Sequence, residues 1–519
     1  RTSGRSGLRS PASDVFLMPR LFGLDTEYGI AVDGAQLGDL VDEARALVAS
    51  WDGPWAEPWD YSQEHPLRDL RGFRAPGLHT DPDDDRHERP SARPMTRSEE
   101  RADRALANGA RLYQDHGHPE YATPECRSLF DLVAHDRAGE RVVWRCAQAY
   151  MARTGKTVRL YKNNVDFHGM SYGTHENYLM RRDVPFQRLQ DVLLPFLVSR
   201  ILYAGAGKVG TSGTFKRSAQ YQLSQRADFF TEVCSVDTLH RRPLLNTRDE
   251  PHMDAARHRR LHVIAGDANL CEVASALKLG ATALTLDLLE GGWSPGLALA
   301  DPVAAVKALS REWTAPLPLA GGGTAPGLEL QRRYLDAAGE ALAGRDAETD
   351  WVLAQWGGVL DDLARDPASL ADRLDWVAKR ELLGDFLEAE GLSWAKVDPV
   401  WLQSLDLAYH DVDPEAGLYQ GLAEQGAVQT LVSEAQVARA LEHGPEDTPA
   451  FARGHCARHF KYPISRITCS RLIFSPDGQQ VVLPLHDVCD EAGARELNAL
   501  VQQPGALDDA LDKLAGGEG

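Results

Sequence analysis

One stretch of this chain concentrates side chains that could do chemistry. Residues 108–125 have the sequence NGARLYQDHGHPEYATPE, in which Arg111, Tyr113 and Asp115 alternate. In a β-strand that spacing places the three side chains on one face. Glu120 follows shortly after them. Two carboxylates this close together can divide roles, one binding a metal ion while the other activates water or attacks an electrophile. From spacing alone, the alternative is a strand edge with a solvated charged face.

A second acidic strand is predicted before that stretch. Residues 21–30, LFGLDTEYGI, place Asp25 and Glu27 two positions apart, so both side chains point to the same strand face. There the two carboxylates repel each other unless a cation lies between them or water screens them. Carboxylate oxygens and nucleotide phosphates are the ligands that Mg2+ prefers. The pattern therefore predicts a magnesium site.

Two further polar blocks add weaker candidates. Residues 161–180 include His175, and residues 246–252 include Arg248. His175 is either a site residue or a satisfied core histidine, and Arg248 is either a site residue or one half of a buried ion pair. Taken singly, neither block decides between these alternatives.

Taken together and in chain order, the blocks resemble a known family. The similarity rests on the motifs LDTEYGI, NGARLYQDHGHPEYATPE, LYKNNVDFHGMSYGTHENYL, LLPFLVSR, QLSQRAD, NTRDEPH, RRLHVIAGDANL and LDLAYHDV. They are similar to the Pup ligase and depupylase family, the carboxylate–amine ligase relatives of glutamine synthetase. The resemblance implies an α+β, glutamine synthetase-like fold with a curved antiparallel sheet cradle and helices packed on its outer face. It implies a catalytic domain at 18–430 and a small C-terminal domain at 431–519.

The resemblance also implies a role for each candidate residue. Asp115 would be the catalytic nucleophile or acid/base. ATP and Mg2+ would be the cofactors, and the partners would be Pup and pupylated proteins of the proteasome pathway. The residues expected to contact the nucleotide are Arg111, Thr123 and Arg248, and those expected at the metal are Asp25, Glu27, Tyr113, Glu120 and His175.

An insert distinguishes the two branches of this family. Residues 59–97, hereafter the insert, begin with WDYSQEHPLRDLRGF, which is similar to the loop entry of depupylases. The later part is rich in Pro, Gly and Asp, a composition that predicts a mobile surface loop. We therefore expect a depupylase, which hydrolyses the isopeptide bond between Pup and a substrate lysine and the side-chain amide of a C-terminal Pup glutamine. The alternative, a Pup ligase, should lack the insert.

Two departures from the family pattern leave a third alternative, a non-catalytic protein that keeps affinity for Pup or nucleotide. Asp25 stands where the family has a Glu, which is one methylene longer. Cys469 stands where the family places a Trp beside the adenine. Because the other acids and the alternating Arg111, Tyr113 and Asp115 are present, we expect an active enzyme.

Composition excludes several classes of protein. A length of 519 residues predicts two domains. The formal net charge of -20 argues against a nucleic-acid partner, which normally leaves a basic footprint. No apolar run approaches the length needed to span a membrane. The seven cysteines have no CxxC spacing, which favours a reducing compartment and a cytoplasmic location.

Local patterns predict several individual elements. We expect a disordered leader at 1–17, and a short helix within 97–108 whose N-cap is Ser98. Apolar spacing predicts helices at 189–205 and 327–344, and residues 255–285 are expected to be helical. Alternation at 221–228 predicts a strand.

Overall fold

The computed structural model describes most of the chain. The described residues are 20–79, 94–167, 169–211, 219–251, 253–459, 464–475, 480–503, 505 and 509. The predicted leader at 1–17 and residues 80–93 of the insert lie outside them.

An antiparallel sheet forms the centre of the fold. Within the described residues it has seven strands, in the spatial order β13-β8-β1-β6-β5-β4-β3. In chain order they are β1 Phe22–Glu27, β3 Trp55–Ala56, β4 Arg104–Leu106, β5 Arg111–Asp115, β6 His118–Ala122, β8 Thr174–Arg181 and β13 His258–Val263. The spatial order of the strands differs from their order in the chain. Strands from distant parts of the chain, such as β1 and β8, therefore lie side by side.

Smaller sheets surround this one. The remaining strands are β2 Gly29–Val32, β7 Val158–Tyr161, β9 Lys208–Val209, β10 Tyr221–Gln222, β11 Phe230–Ser235, β12 Arg242–Asn246, β14 Pro316–Pro318, β15 Thr324–Pro326, β16 Ile464–Ile467, β17 Arg471–Phe474 and β18 Val481–Pro484. They pair as β2 with β7, β9 with β10, β11 with β12, β14 with β15, and as a three-stranded sheet β16-β17-β18.

Helices make up much of the rest of the chain. They are α1 Leu40–Val48, α2 Arg97–Arg101, α3 Leu129–Thr154, α4 Phe186–Ser199, α5 Ile201–Ala204, α6 Glu272–Glu290, α7 Pro302–Arg311, α8 Gly327–Leu342, α9 Ala347–Arg365, α10 Asp375–Ala389, α11 Pro399–Tyr409, α12 Leu418–Glu424, α13 Glu434–Glu442, α14 Ala450–Arg458 and α15 Glu491–Val501. None of the helices in the described ranges is both long and apolar enough to cross a bilayer.

The two faces of the central sheet differ in chemistry because strand side chains alternate. Leu24, Tyr121 and Tyr178 point to one face and are buried in the hydrophobic core. The long helix α3 packs there, and it approaches so closely that a Cβ on Gly139 would lie 2.4 Å from the Tyr121 ring. Alternation then places Asp25, Glu27 and Glu120 of the same strands on the other face.

The C-terminal part of the chain has its own core. Buried residues from Phe451 to Val501 form one cluster, which Ala56 and Ala105 join from the edge of the central sheet. By contrast, Val437 and Ala440 of α13 belong to the large core. Helix α13, which follows the division predicted between 430 and 431, thus packs with the large core.

The predicted short helix starts earlier than expected. Its N-cap is Thr96 rather than Ser98, and the Thr96 side chain accepts a hydrogen bond from the Glu99 amide while the Glu99 carboxylate accepts one from the Thr96 amide. This reciprocal capping box satisfies two amide groups that the first turn leaves unpaired. The helix ends where Ala102 takes a left-handed conformation, with φ of 51°, and the chain turns into β4.

Two other local predictions were wrong in part. Residues 258–263 of the segment expected to be helical form strand β13, because Leu261 and Val263 are buried in the core while Arg260 and His262 alternate with them. The strand expected at 221–228 ends at Gln222. There the Ser224 hydroxyl accepts hydrogen bonds from the amides of residues 226 and 227 at 3.1 and 3.2 Å, which competes with strand pairing. The helices predicted at 189–205 and 327–344 are present as α4 with α5 and as α8.

Candidate active site

Strand register brings the predicted acids together on the polar face of the central sheet. Tyr113 of β5 lies opposite Glu120 of β6, and Glu120 lies opposite Glu27 of β1. Two residues before Glu27 on β1, Asp25 lies opposite His175 of β8. Directly opposed residues in an antiparallel pair point to the same face, about 4.5–5.5 Å apart at Cβ. Register therefore converts separate sequence blocks into one surface.

Three carboxylates form the closest group on this surface. One oxygen from each of Glu27, Asp115 and Glu120 lies within 4.8 Å of the others. Burial, and then repulsion by Asp115, raise the pKa of Glu27 to about 7. Burial and the same neighbouring carboxylates raise the pKa of Glu120 well above its ordinary value. Negative charge is thus concentrated beyond what the protein groups neutralise, which is the electrostatic environment of a divalent cation site.

Asp115 differs from its two acidic neighbours. Burial opposes its ionisation, but His116 and Arg101 outweigh this effect and hold the pKa of Asp115 well below its ordinary value. The His116 Nδ1 atom lies 3.1 Å from Asp115 Oδ1, and an Arg101 guanidinium nitrogen lies 2.7 Å from the same oxygen. Asp115 is therefore a permanent carboxylate at neutral pH, placed next to acids that hold protons more tightly.

Arg111 lies in a cage of aromatic and acidic groups. Its guanidinium donates to Asp103 Oδ1 at 2.6 Å and to the Tyr61 hydroxyl at 2.5 Å. It also lies 4.1 Å from the Tyr113 ring centroid and 4.8 Å from that of Trp59. The Tyr113 hydroxyl, on the same face, donates to Glu120. These contacts hold a fixed positive charge beside the carboxylate group.

Asp25 is held at the other side of the carboxylates. The Asn177 amide donates to Asp25 Oδ2 at 2.9 Å. Asn177 Oδ1 in turn lies 2.8 Å from an Arg260 nitrogen and 2.9 Å from His262 Nδ1. Burial raises the pKa of Asp25, and Arg260 partly offsets this. Asn177 of β8 thus orients Asp25, and β13 holds Asn177 in turn. The segment that forms β13 was expected to be helical.

His175 completes this surface. Its Nε2 lies 3.9 Å from Glu27 Oε1, and its ring packs edge-on against His262 at 5.0 Å. Burial, and then the positive charge of Arg226, lower the pKa of His175 to about 3, so the imidazole is neutral and keeps a lone pair for a ligand or a proton.

These groups surround a cavity of about 320 Å³. Such a volume is at the lower end of the range of small-molecule sites. The predicted site residues that line it are Asp25, Arg111, Tyr113, Asp115, Glu120, Thr123, His175 and Arg248. The structure therefore brings together residues that lie up to 223 positions apart in the chain, and Glu27 joins them through the carboxylate group.

Thr123 and Arg248 both line the cavity. The Thr123 hydroxyl accepts a hydrogen bond from the Leu24 amide at 3.0 Å. The Arg248 guanidinium donates to the Val236 carbonyl at 2.8 Å and to the Thr238 hydroxyl at 3.0 Å. Both contacts of Arg248 are to neutral oxygens, so its positive charge remains available to an anionic ligand.

The first part of the insert packs against two other parts of the protein. The Asp60 amide donates to the Ile467 carbonyl at 2.9 Å, beside the C-terminal sheet. The Leu70 amide donates to the Thr247 carbonyl at 2.8 Å, next to Arg248. Residues 59–79 of the predicted mobile loop thus make backbone hydrogen bonds to two other parts of the fold, and Trp59, Glu64 and Pro66 among them line the cavity.

Sequence reasoning missed several residues that line the cavity. Arg101 comes from α2, Arg260 from β13, and Arg453 from α14, where it pairs with Glu125 at 2.7 Å. The alternation in RRLHV at 259–263 was a usable strand signal for Arg260. Arg101 and Arg453 had no such signal, because only the docking of their helices places them here. Cys469, expected beside the adenine, also lines the cavity.

Comparison with known proteins matches nearly the whole chain. A family model described as "Pup-ligase protein" matches residues 20–472. The Pup deamidase/depupylase of Mycobacterium tuberculosis (strain ATCC 25618 / H37Rv) is 42% identical over 483 residues, which is 90% of this chain and 93% of that relative. The Pup–protein ligase of Micrococcus luteus is 44% identical over 363 residues, or 67% of this chain and 78% of that relative.

Two solved structures share the fold. The complex between prokaryotic ubiquitin-like protein Pup and its ligase PafA matches with a TM-score of 0.74 and 29% identity over 95% of both chains. The Pup ligase PafA in complex with ADP matches with a TM-score of 0.69 and 31% identity, over 82% of this chain and 97% of that one. These matches confirm the expected α+β fold. With a family model and a relative that each cover most of its length, this chain belongs to the Pup-ligase protein family.

Proposed function

We propose that this protein is a depupylase, an enzyme that hydrolyses the isopeptide bond between Pup and a substrate lysine. One observation carries the proposal: the depupylase of M. tuberculosis aligns with 90% of this chain, whereas the ligase of M. luteus aligns with only 67%. The same chemistry would hydrolyse the side-chain amide of a C-terminal Pup glutamine. In both reactions the bond is an amide of the same side-chain carboxyl group.

Asp115 is suited to act as the nucleophile. A general base works best when its pKa lies near the working pH, but the pKa of Asp115 is held well below its ordinary value. A carboxylate that stays ionised can instead attack the isopeptide carbonyl carbon directly. The C–N bond then breaks and the lysine nitrogen takes a proton from solvent as it leaves as the amine. Water hydrolyses the resulting anhydride, which frees the Pup carboxylate and regenerates Asp115.

The carboxylate group fits Mg2+. Glu27 and Glu120 offer hard oxygen ligands within 4.8 Å of each other, and Asp25 and Tyr113 lie on the same face. His175, which is neutral, is the remaining metal candidate. When bound, Mg2+ would neutralise the carboxylates and the phosphates of a nucleotide.

The cavity also fits an anionic nucleotide. The PafA structure that contains ADP has this fold, and here Arg111, Arg248 and Thr123 line the same cavity as the carboxylates. We infer that these three residues contact ATP or its products. Amide hydrolysis in water is downhill, so the nucleotide organises the site and need not be consumed in each turnover.

The proposal also includes the binding partners and the cellular location of the protein. The partners are Pup and pupylated proteins, as the names of the relatives and the Pup-bound PafA structure support. A cytoplasmic location is supported by the cysteines, all seven of which are free.

A release assay tests the proposal. The protein would be incubated with ATP, Mg2+ and a protein carrying Pup on a lysine, and free Pup would be followed by gel electrophoresis. We expect release by the unmodified protein, and a loss of at least about a hundredfold for Asp115→Asn, which keeps the shape of the side chain but removes its charge. Near-normal release by this variant would contradict the assignment of Asp115.

A parallel reaction separates hydrolase from ligase. It would contain ATP, Mg2+, unmodified acceptor protein and free Pup that ends in glutamate. New conjugate without release from the first substrate would identify a ligase. Nucleotide binding with neither reaction would identify a non-catalytic protein.

A further inference from the structure

Helix α2, which begins at the last residue of the insert, places a guanidinium next to Asp115, the proposed nucleophile. Arg101 is the last residue of α2, and an Arg101 nitrogen lies 2.7 Å from Asp115 Oδ1. The guanidinium also lies 5.4 Å from the centroid of the Tyr113 ring and 5.8 Å from that of Tyr61. Both distances are within the range of a cation–π contact. Arg101 is therefore held between the floor of the site and the insert.

Several contacts fix the position of α2. The Glu100 carbonyl accepts hydrogen bonds from Arg45 at 2.9 Å and from the Gln114 side chain at 3.3 Å. Gln114 is the neighbour of Asp115 on β5. These contacts tie the end of α2 to β5, the strand that carries Asp115.

The contacts of Asp115 are asymmetric. The nearest atoms of Arg101 and His116 both approach Oδ1, at 2.7 and 3.1 Å. Two close polar contacts to one oxygen restrict rotation of the carboxylate about its Cβ–Cγ bond. The other oxygen, Oδ2, is then the one that can approach an electrophile in the cavity.

We propose that Arg101 is a positioning residue, which holds Asp115 by Oδ1 and thereby aims Oδ2 at the carbonyl carbon of the bond to be cleaved. The inference rests on the proposed function, and it assigns a task to the helix that follows the insert. The insert's own Tyr61 packs against Arg101, so rearrangement of the insert alters the orientation of the nucleophile.

The ion pair between Arg101 and Asp115 is not explained by a contribution to the stability of the fold. The side chains of Arg101 and Asp115 are each 21% exposed. Because both charges are partly exposed, solvent screens them, and the pair contributes less to stability than a fully buried pair does. Loss of Arg101 should therefore leave the protein folded, and its effect should fall on the reaction rate.

Single-turnover cleavage of a Pup–lysine conjugate by the protein in saturating excess over the conjugate, with saturating ATP and Mg2+, tests the proposal. For Arg101→Gln we expect the rate to fall about tenfold to a hundredfold, the size of effect that misplacement of a reacting group produces. The dissociation constant for ATP, from calorimetry, should change by less than about twofold, because a positioning role affects the chemical step. Arg101→Lys should restore part of the rate, because it keeps the charge but loses the planar fork.

Arg45→Gln is the matched control. It removes another guanidinium that holds α2 through the Glu100 carbonyl, but it does not contact Asp115. We expect its rate to stay within about twofold of the unmodified protein. If Arg45→Gln and Arg101→Gln are equally slow, the anchoring of α2 decides the rate and the proposal is overturned.

The outcomes separate this inference from the proposed function. If the unmodified protein releases no Pup, the proposed function fails. If it is active and Asp115→Asn is inactive, but Arg101→Gln cleaves at the unmodified rate, only the positioning role is overturned. Urea denaturation of each variant checks that it is folded.

Discussion

Replacing Arg200 by methionine should destabilise the protein strongly, because it breaks an ion pair buried beneath the site. Arg200 forms a two-pronged contact with Glu176, at 2.7 and 2.6 Å, and also donates to the Thr282 hydroxyl at 2.7 Å. Tyr178 donates to the same carboxylate at 2.6 Å. The side chains of Arg200 and Glu176 are 2% and 0% exposed.

The magnitude follows from this burial. Methionine replaces the aliphatic stem of arginine but not its guanidinium, so the main change is a carboxylate left in the core without its counter-charge. Removing one partner of a buried pair typically costs about 3–5 kcal/mol. Glu176 lies on β8 between His175 and Asn177, so the strain falls on the strand that carries both site residues. Adding Glu176→Gln to Arg200→Met removes the remaining charge and should recover part of the lost free energy.

The free energy of unfolding would be measured by urea denaturation, followed by tryptophan fluorescence. As a control, Arg332→Met removes one partner of an ion pair with Asp361, whose side chains are 41% and 64% exposed. That change should cost less than about 1 kcal/mol. If Arg200→Met costs no more than the surface control, the pair does not carry the stability assigned to it. If the double variant is no better than Arg200→Met, the cost does not come from the unpaired charge.

Three further predictions address the site and the pH dependence. Gly173→Ala would place a Cβ 2.0 Å from His175 Nε2, so we expect the imidazole to move and Pup release to slow while the urea midpoint changes little; unchanged release would show that His175 does not need this position. Glu120→Gln should weaken Mg2+-dependent ATP binding in calorimetry, and an unchanged Mg2+ dependence would exclude Glu120 as a ligand. Burial lowers the pKa of His135 to about 3. Below the pKa of about 6.5 in the unfolded chain, the unfolded state therefore binds more protons, and stability falls as pH falls. Between pH 7 and 5, the free energy of unfolding of His135→Leu should fall by about 2 kcal/mol less than that of the unmodified protein. Equal decreases in both proteins would contradict this.

Local patterns in the chain predicted some of these elements well. The alternation of Arg111, Tyr113 and Asp115 does place them on one face of β5, since a strand has a period of two. The amphipathic spacing at 327–344 does form α8. In both cases the pattern and the structure depend on neighbours only a few residues away.

One prediction failed where distant contacts overrode a local preference. Residues 258–263, expected to be helical, form a strand because β8 pairs with all six of them. Distant contacts also hold residues 59–79 of the insert, through backbone hydrogen bonds to Ile467 and Thr247. Both partners lie more than 170 positions away in the chain.

The composition of the site divides in the same way. The chain by itself determined which acids, arginines and aromatic residues are available and, through strand alternation, which of them share a face with Asp115. Only the tertiary structure decided that Glu27 joins Asp115 and Glu120, and that Arg101 contacts Asp115. Register between strands and docking of helices depend on burial of the opposite face, which involves the whole core. The pKa shifts also arise only there, because desolvation and the distances between charges exist only once the cavity has formed.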